Sequence, residues 1–245
     1  MKIVYVICLI VFALIIAYTF KSFSSDTLVS KYYDKPNYKL LLKYIIKENL
    51  DGIDQLVKSG VDVNRKGKGM TPLIYAIQSN KIESFKFLLK IGADINAIVD
   101  NDLSVIIEVI KSNNIEFLKI CIENGADVNL LHPLGERPIF FALENMKYSA
   151  VDLLLKHSAD VNLSDSFNNT VFTCTLNARN FTGCLYLLNK DLSPDKSDKR
   201  VVVSIIHYIE TAYKVRDMEQ PAYKDFFELI EKFKKLGFKF VLKEL

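Results

Sequence analysis

The chain lacks the residue sets that chemistry needs. It has three histidines, His132, His157 and His207, which form no H-E-x-x-H and have no cysteine or carboxylate at metal-ligand spacing. There is no G-x-S-x-G elbow, and Gly67-Lys68-Gly69 is without the flanking residues of a phosphate-cradling loop. The four cysteines contain no C-x-x-C pair. Cys8 sits in an apolar run, too early for lipid attachment, while Cys121, Cys174 and Cys184 fall among apolar positions and read as small buried hydrophobes. Charge of one sign is also scarce. A net charge of +3 is too small for a phosphate-binding surface, which excludes nucleic acid as a partner. Lys232, Lys234, Lys235 and Lys239 form the densest basic cluster and read as the solvated face of a terminal helix, with lipid-headgroup contact as the alternative. No enzyme, cofactor, metal or small-molecule substrate is expected. Asn162, Asn168 and Asn180 match the glycan acceptor pattern, which chance explains in an Asn-rich chain.

What the chain does have is a recurring phrase: Gly60–Asn64 (GVDVN), Gly92–Asn96 (GADIN), Gly125–Asn129 (GADVN) and Ser158–Asn162 (SADVN). The starts at 60, 92, 125 and 158 are 32, 33 and 33 residues apart. A period of that size implies units that cannot bury their own apolar faces and must stack into a solenoid. With 50% hydrophobic and 25% charged residues, the chain has the material for such a body.

Each unit reads as two helices. Thr71 is placed to cap the first, and Pro72 suits its first position. After Ser79, Asn80 and Lys81, a second helix carries Ile82, Phe85, Leu88 and Leu89 on one face. Gly92 ends it, because glycine takes positive φ without steric cost, and Asp94 holds the turn into the next hairpin. Later copies keep the register. Ser104 and Arg137 stand for Thr71, Val105 and Pro138 for Pro72, and Val109 and Ala142 for Ala76. The second helices then read Ile115, Leu118, Cys121, Ile122 and Val151, Leu154, Leu155.

The element Thr71-Pro72-Leu73-Ile74-Tyr75-Ala76, with this period and the G-x-D-x-N phrase, resembles the ankyrin repeat. The resemblance implies an all-α ankyrin-repeat solenoid over residues 37–195, with units at about 37–64, 65–96, 97–129, 130–162 and 163–195. Residues 196–245 read as a C-terminal helical cap, a degenerate sixth repeat with helices over 201–214 and 223–236 ended by Gly237. Ile74, Ile107 and Phe140 replace the family's motif histidine, and Ser158 replaces a glycine at about 1 kcal/mol of backbone strain. Cys174 and Cys184 fall on the two helices of the fifth unit and can pair if the body is exported.

The other strong signal is Ile3 to Phe20, without charge and bounded by Lys2 and Lys21. Eighteen helical residues span about 27 Å, close to the roughly 30 Å hydrocarbon layer. A transmembrane signal anchor is therefore expected over residues 1–21, followed by a tether over 22–36, with Pro36 opposing continuous helix across the join. Ser22 and Ser24 leave a cleavage site open as the alternative. Lys2 against Lys21, Lys31 and Lys35 does not settle orientation. Export of the repeats to a periplasmic side is favoured, with a cytoplasmic side as the alternative.

The resemblance implies a protein partner bound on the concave face of hairpin tips and first-helix ends. The family's contact positions fall on Lys68, Met70 and Gln78; Asp100, Asn101, Leu103 and Lys111; Leu134, Glu136, Glu144 and Asn145; and Phe167, Asn169 and Asn177. Met70, Leu103, Leu134 and Phe167 place an apolar group on successive hairpins, as an interface core would, or pack on their neighbours. The expected function is a membrane-tethered protein-binding module. Its narrower form is a bacterial immunity protein that blocks a secreted antibacterial toxin; a structural or chaperone-like envelope component and a cytoplasmic-facing adaptor are the alternatives.

Overall fold

The computed structural model describes residues 33–67, 69–99, 103–133, 135–215 and 221–239. The expected anchor, 1–21, and residues 22–32 of the expected tether lie outside them. Among the described residues no helix is long and apolar enough to cross a membrane. The described residues contain twelve helices and one two-stranded ladder, β1 (Ile98–Val99) with β2 (Leu103–Ser104), antiparallel with Val99 opposite Leu103. The all-helical expectation holds apart from this short hairpin. The chain divides into two compact units, one ending at Glu108 and one beginning at Val109.

The first unit holds α1 (Pro36–Lys47), α2 (Leu50–Lys58), α3 (Pro72–Gln78), α4 (Ile82–Lys90), the β1–β2 hairpin and the first turn of α5 (Val105–Ser112). Pro36 opens α1, because proline's fixed φ and missing N–H suit the first helical turn. Thr71 caps α3 by accepting from the Ile74 amide at 3.3 Å. Neither helix pair can bury its own apolar stripe, and α1 lies against α3, first helix on first helix. Leu41, Leu42, Ile45, Ile53, Ile74, Phe85 and Leu88 are buried in the core of this unit. Ser84 Oγ donates to the Ile45 carbonyl at 2.9 Å within this core. The end of the expected tether is part of the fold. Tyr33 is buried, stacks on Tyr38 at 5.0 Å and donates its hydroxyl to the carbonyls of Arg65 (2.8 Å) and Met70 (2.9 Å).

The second unit holds the rest of α5, then α6 (Ile115–Glu123), α7 (Pro138–Glu144), α8 (Tyr148–Lys156), α9 (Val171–Asn177), α10 (Phe181–Leu188), α11 (Lys199–Val215) and α12 (Pro221–Lys235). Like helices again lie on like: α7, α9 and α11 in one row, α6 with α8, and α10 with α12. The last pair begins and ends within two residues of the spans read from the sequence. Phe181 meets Phe226 at 4.9 Å, and Thr182 Oγ1 donates to Asp225 at 2.6 Å. Each of Phe117, Phe140, Phe172, Phe226 and Phe233 is fully buried, worth roughly 1.5–3 kcal/mol apiece by area.

The recurring phrase is a staple. In every copy the aspartate carboxylate accepts the amide two residues on, as Asp94 does from Asn96 (2.9 Å) and Asp127 from Asn129 (2.8 Å), an Asx turn. The asparagine then reaches the next copy. Asn64 donates to the Gly92 carbonyl (2.9 Å) and accepts the Asp94 amide (2.7 Å), and Asn129 does the same with Ser158 (3.1 Å) and Asp160 (2.9 Å). Gly60, Gly92 and Gly125 all have positive φ, and Ser158 is forced to φ 68° in the same place. Ser158→Gly is therefore expected to raise stability by about 1 kcal/mol, read as a higher urea midpoint at an unchanged slope.

Cys121, Cys174 and Cys184 are free thiols, so the Cys174–Cys184 bond held open above is not formed. Cys184 is buried, and burial pushes its thiol from 9.0 up to about 12. Cys174, its Sγ 3.5 Å from Asp165, is also raised from 9.0 to about 12, by burial and then by the Asp165 carboxylate. Burial likewise raises the Tyr33 hydroxyl. The unfolded chain thus ionises these groups first as pH rises. Their contribution is full below about pH 9 and is lost on approach to pH 12. Urea midpoints measured across that range should fall, and Cys184→Val should make the fall shallower.

Candidate functional site

The second unit presents a hairpin tip organised by one carboxylate. Asp165 Oδ1 accepts the amides of Phe167 (2.8 Å) and Asn169 (2.7 Å), while Oδ2 accepts from the Asn169 side chain at 3.2 Å. The Asp165 amide closes the loop onto the Asn169 carbonyl at 2.8 Å. With the turn closed by these bonds and Asn168 at φ 62°, the ring of Phe167 is carried outward and is 77% exposed. The neighbouring hairpin buttresses it. Ser166 donates to the Gly135 carbonyl at 3.2 Å, and a Cβ at Gly135 would stand 2.7 Å from Ser166 Oγ, so only glycine permits this approach. Arg137, standing where other copies carry a capping hydroxyl, spans the two loops instead. Its guanidinium donates to the carbonyls of Ser164 (2.8 Å) and Asn129.

Around this tip carboxylates converge. Burial, then the charges of Glu136 and Asp165, raises the acid of Glu144, which places the three within electrostatic reach of one another. Glu136 is half-buried and closes its own hairpin by accepting the His132 amide at 2.8 Å on its carbonyl. On the first-helix side, Lys111 stands 5.7 Å from the Phe141 ring, a cation over an aromatic face. Asn145 ends α7 and donates to the Phe141 carbonyl at 2.8 Å. Asn177 accepts from Ser204 at 3.0 Å, joining α9 to α11. Leu134 lies outside the described residues. Met146, 66% exposed at φ 54° in the α7–α8 turn, is an exposed apolar residue beyond the end of α7 that the sequence reading does not single out. Its exposure comes from the left-handed turn, which no local motif announces.

In the first unit Gln78 is exposed and donates to the buried Glu108 carboxylate at 2.9 Å. Leu103 is placed by its ladder pairing with Val99. Lys68, Asp100 and Asn101 lie outside the described residues. Met70 requires a correction: it is 1% exposed and cannot be a surface contact. It stands one residue before the cap Thr71, whereas Phe167 stands three before the cap Thr170, so the two are not equivalent positions. Met70 shares the place of Glu136 and Asn169, whose carbonyls close their hairpins, and its own carbonyl accepts the Gly67 amide at 2.7 Å. The Met70 side chain is buried where this hairpin closes. Asp165 was also missed as the organiser; the acidic residue four before an asparagine in a hairpin was the available signal.

Among the described residues no group of histidine, cysteine and carboxylate side chains can hold a metal ion. Cys174 lies beside the tip, and a thiol pushed up to about 12 is inert near neutral pH. What the arrangement offers is a rigid aromatic with carboxylate and amide neighbours.

The family described as Ankyrin repeats (3 copies) matches residues 14–98 and 106–198, and the first match begins inside the apolar run. An ankyrin repeat protein of fowlpox virus (strain NVSL) is 35% identical over 80 residues, which is 30% of this chain. The chain spans 12% of that relative's length. With the family match covering well over half of the sequence, and the capped helix pairs and Asx-turn phrases in place, the chain belongs to the ankyrin-repeat family.

Proposed function

We propose that this chain is a non-catalytic module that captures a protein partner on the hairpin tips and first-helix ends of its repeats, tethered to a membrane by residues 3–20 with the repeats exported. Ankyrin repeats are interaction modules, and the observation that carries a particular face is Phe167. A large aromatic held 77% exposed by the Asp165 bonds loses little entropy on binding, which is how interface anchors deliver affinity. Asn169 flanks it on the same loop, and Glu136 and Glu144 supply a polar rim. The tether is supported by the length and lack of charge of the apolar run.

Capture from a native lysate by the detergent-solubilised full chain, with the ligand identified by mass spectrometry, tests the face. Phe167→Asp should weaken capture by about 30-fold or more, the scale of an anchor residue, while circular dichroism and the urea midpoint stay unchanged because the side chain packs on little. Undiminished capture would reject this face. The narrower immunity reading requires the captured ligand to be a secreted toxin that the chain suppresses. A topology reporter fused after Leu245 is expected to be active only as an exported reporter; activity of a cytoplasmic reporter instead would place the repeats on the inner face.

A further inference from the structure

The sequence of α1 reads PNYKLLLKYIIK and contains no acidic residue. Lys35 immediately before it, then Lys39, Lys43 and Lys47, recur every four residues. At about 100° per residue, successive lysines are offset by roughly 40°, so the four trace one stripe of about 120°. The core side of the helix is elsewhere: Tyr38, Leu41, Leu42 and Ile45 are its buried residues. Lys35, Lys43 and Lys47 are exposed and Lys39 is half-buried, and Leu40, 39% exposed, lies beside them. Acidic residues flank the stripe, Asp34 before it and Glu48 after it, and Glu48 accepts the Glu83 amide at 3.2 Å.

The position of this stripe in the chain gives it a consequence. Residues 21–32 separate the apolar run from Tyr33, at most about 40 Å when fully extended. Tyr33 is fixed by its stack on Tyr38 and its two hydroxyl bonds, and Arg65 lies 5.3 Å over the Tyr38 ring. The chain therefore enters the repeats at the Lys35 end of the stripe, with Lys21 and Lys31 on the way.

We infer that the outer face of α1 is a docking surface for an anionic phospholipid surface, holding the first repeats against the bilayer. A basic helix face with an interspersed apolar side chain and a membrane segment close by is the arrangement that anionic headgroups attract. Long lysine stems also let the ammonium groups reach the headgroups while Leu40 rests at the boundary. This inference rests on residues 3–20 holding the chain at a membrane.

The test incorporates the full chain into phosphatidylcholine vesicles with and without phosphatidylglycerol and maps lysine labelling by an amine-reactive reagent with mass spectrometry. Lys35, Lys39, Lys43 and Lys47 should lose reactivity several-fold only with phosphatidylglycerol and regain it at high salt, while Lys86 and Lys119 stay unchanged. Lys39→Glu with Lys43→Glu should abolish the lipid-dependent protection of Lys35 and Lys47 with circular dichroism and vesicle flotation intact. Equal labelling in both vesicles, or protection shared by Lys86 and Lys119, overturns the inference and leaves the tether standing. A chain that floats with neither vesicle overturns the tether and this inference with it.

Discussion

A two-helix unit of about 33 residues has one apolar stripe per helix and nothing of its own to bury it against. Everything else in the molecule answers that deficit. Within the first unit α1 lies on α3, and within the second α7, α9 and α11 lie in one row, with α6 on α8 and α10 on α12, so in these pairs one stripe finds the matching stripe of its neighbour. The phenylalanines Phe85, Phe117, Phe140 and Phe172, each from a different repeat, are fully buried. Truncating one to alanine should leave a cavity costing about 3–5 kcal/mol.

Stacking alone would let the units slide, and the polar loops fix the register. Asn64 and Asn129 bond backbone groups of the following copy, so the phrase that marks the repeat in sequence is the part that joins it to the next. These bonds are exposed and individually modest. Their value is geometric, because amide and carbonyl of one loop are both met by a single side chain. The drifted positions show how much the stack tolerates. Ser158 bears left-handed backbone where glycine stands in other copies, and Glu48, Asn80, Asn113, Met146 and Arg179 do so in the turns between paired helices, each at the cost of some strain offset by packing on either side.

The same logic leaves function to the periphery. Core and loop junctions use up the regular positions, and the side chains left over are those at the hairpin tips, the first-helix ends and the outer faces of the end units. Met70 and Phe167 illustrate the division. Both are apolar residues in hairpins, yet Met70 sits where the hairpin meets α3 and is buried, while Phe167 sits at the turn and is held out by Asp165.

Periodicity and composition sufficed for the family, the helix pairs and caps such as Thr71, because these are local: a capping hydroxyl, a proline at the first helical position and an apolar stripe act on neighbours a few residues away. Register also placed the candidate residues on the hairpins and first-helix ends. It did not yield which of them face solvent, because exposure depends on how a loop closes. Gly67 onto Met70, Asp165 onto Asn169 and Ser166 onto Gly135 are contacts that only the folded loops make. Nor did spacing reveal that Tyr33 docks on the first hairpin. That contact joins residues more than thirty apart, and a pairing at that range is decided by the tertiary structure, where burial of a ring and two carbonyl bonds outweigh the entropy of fixing the segment.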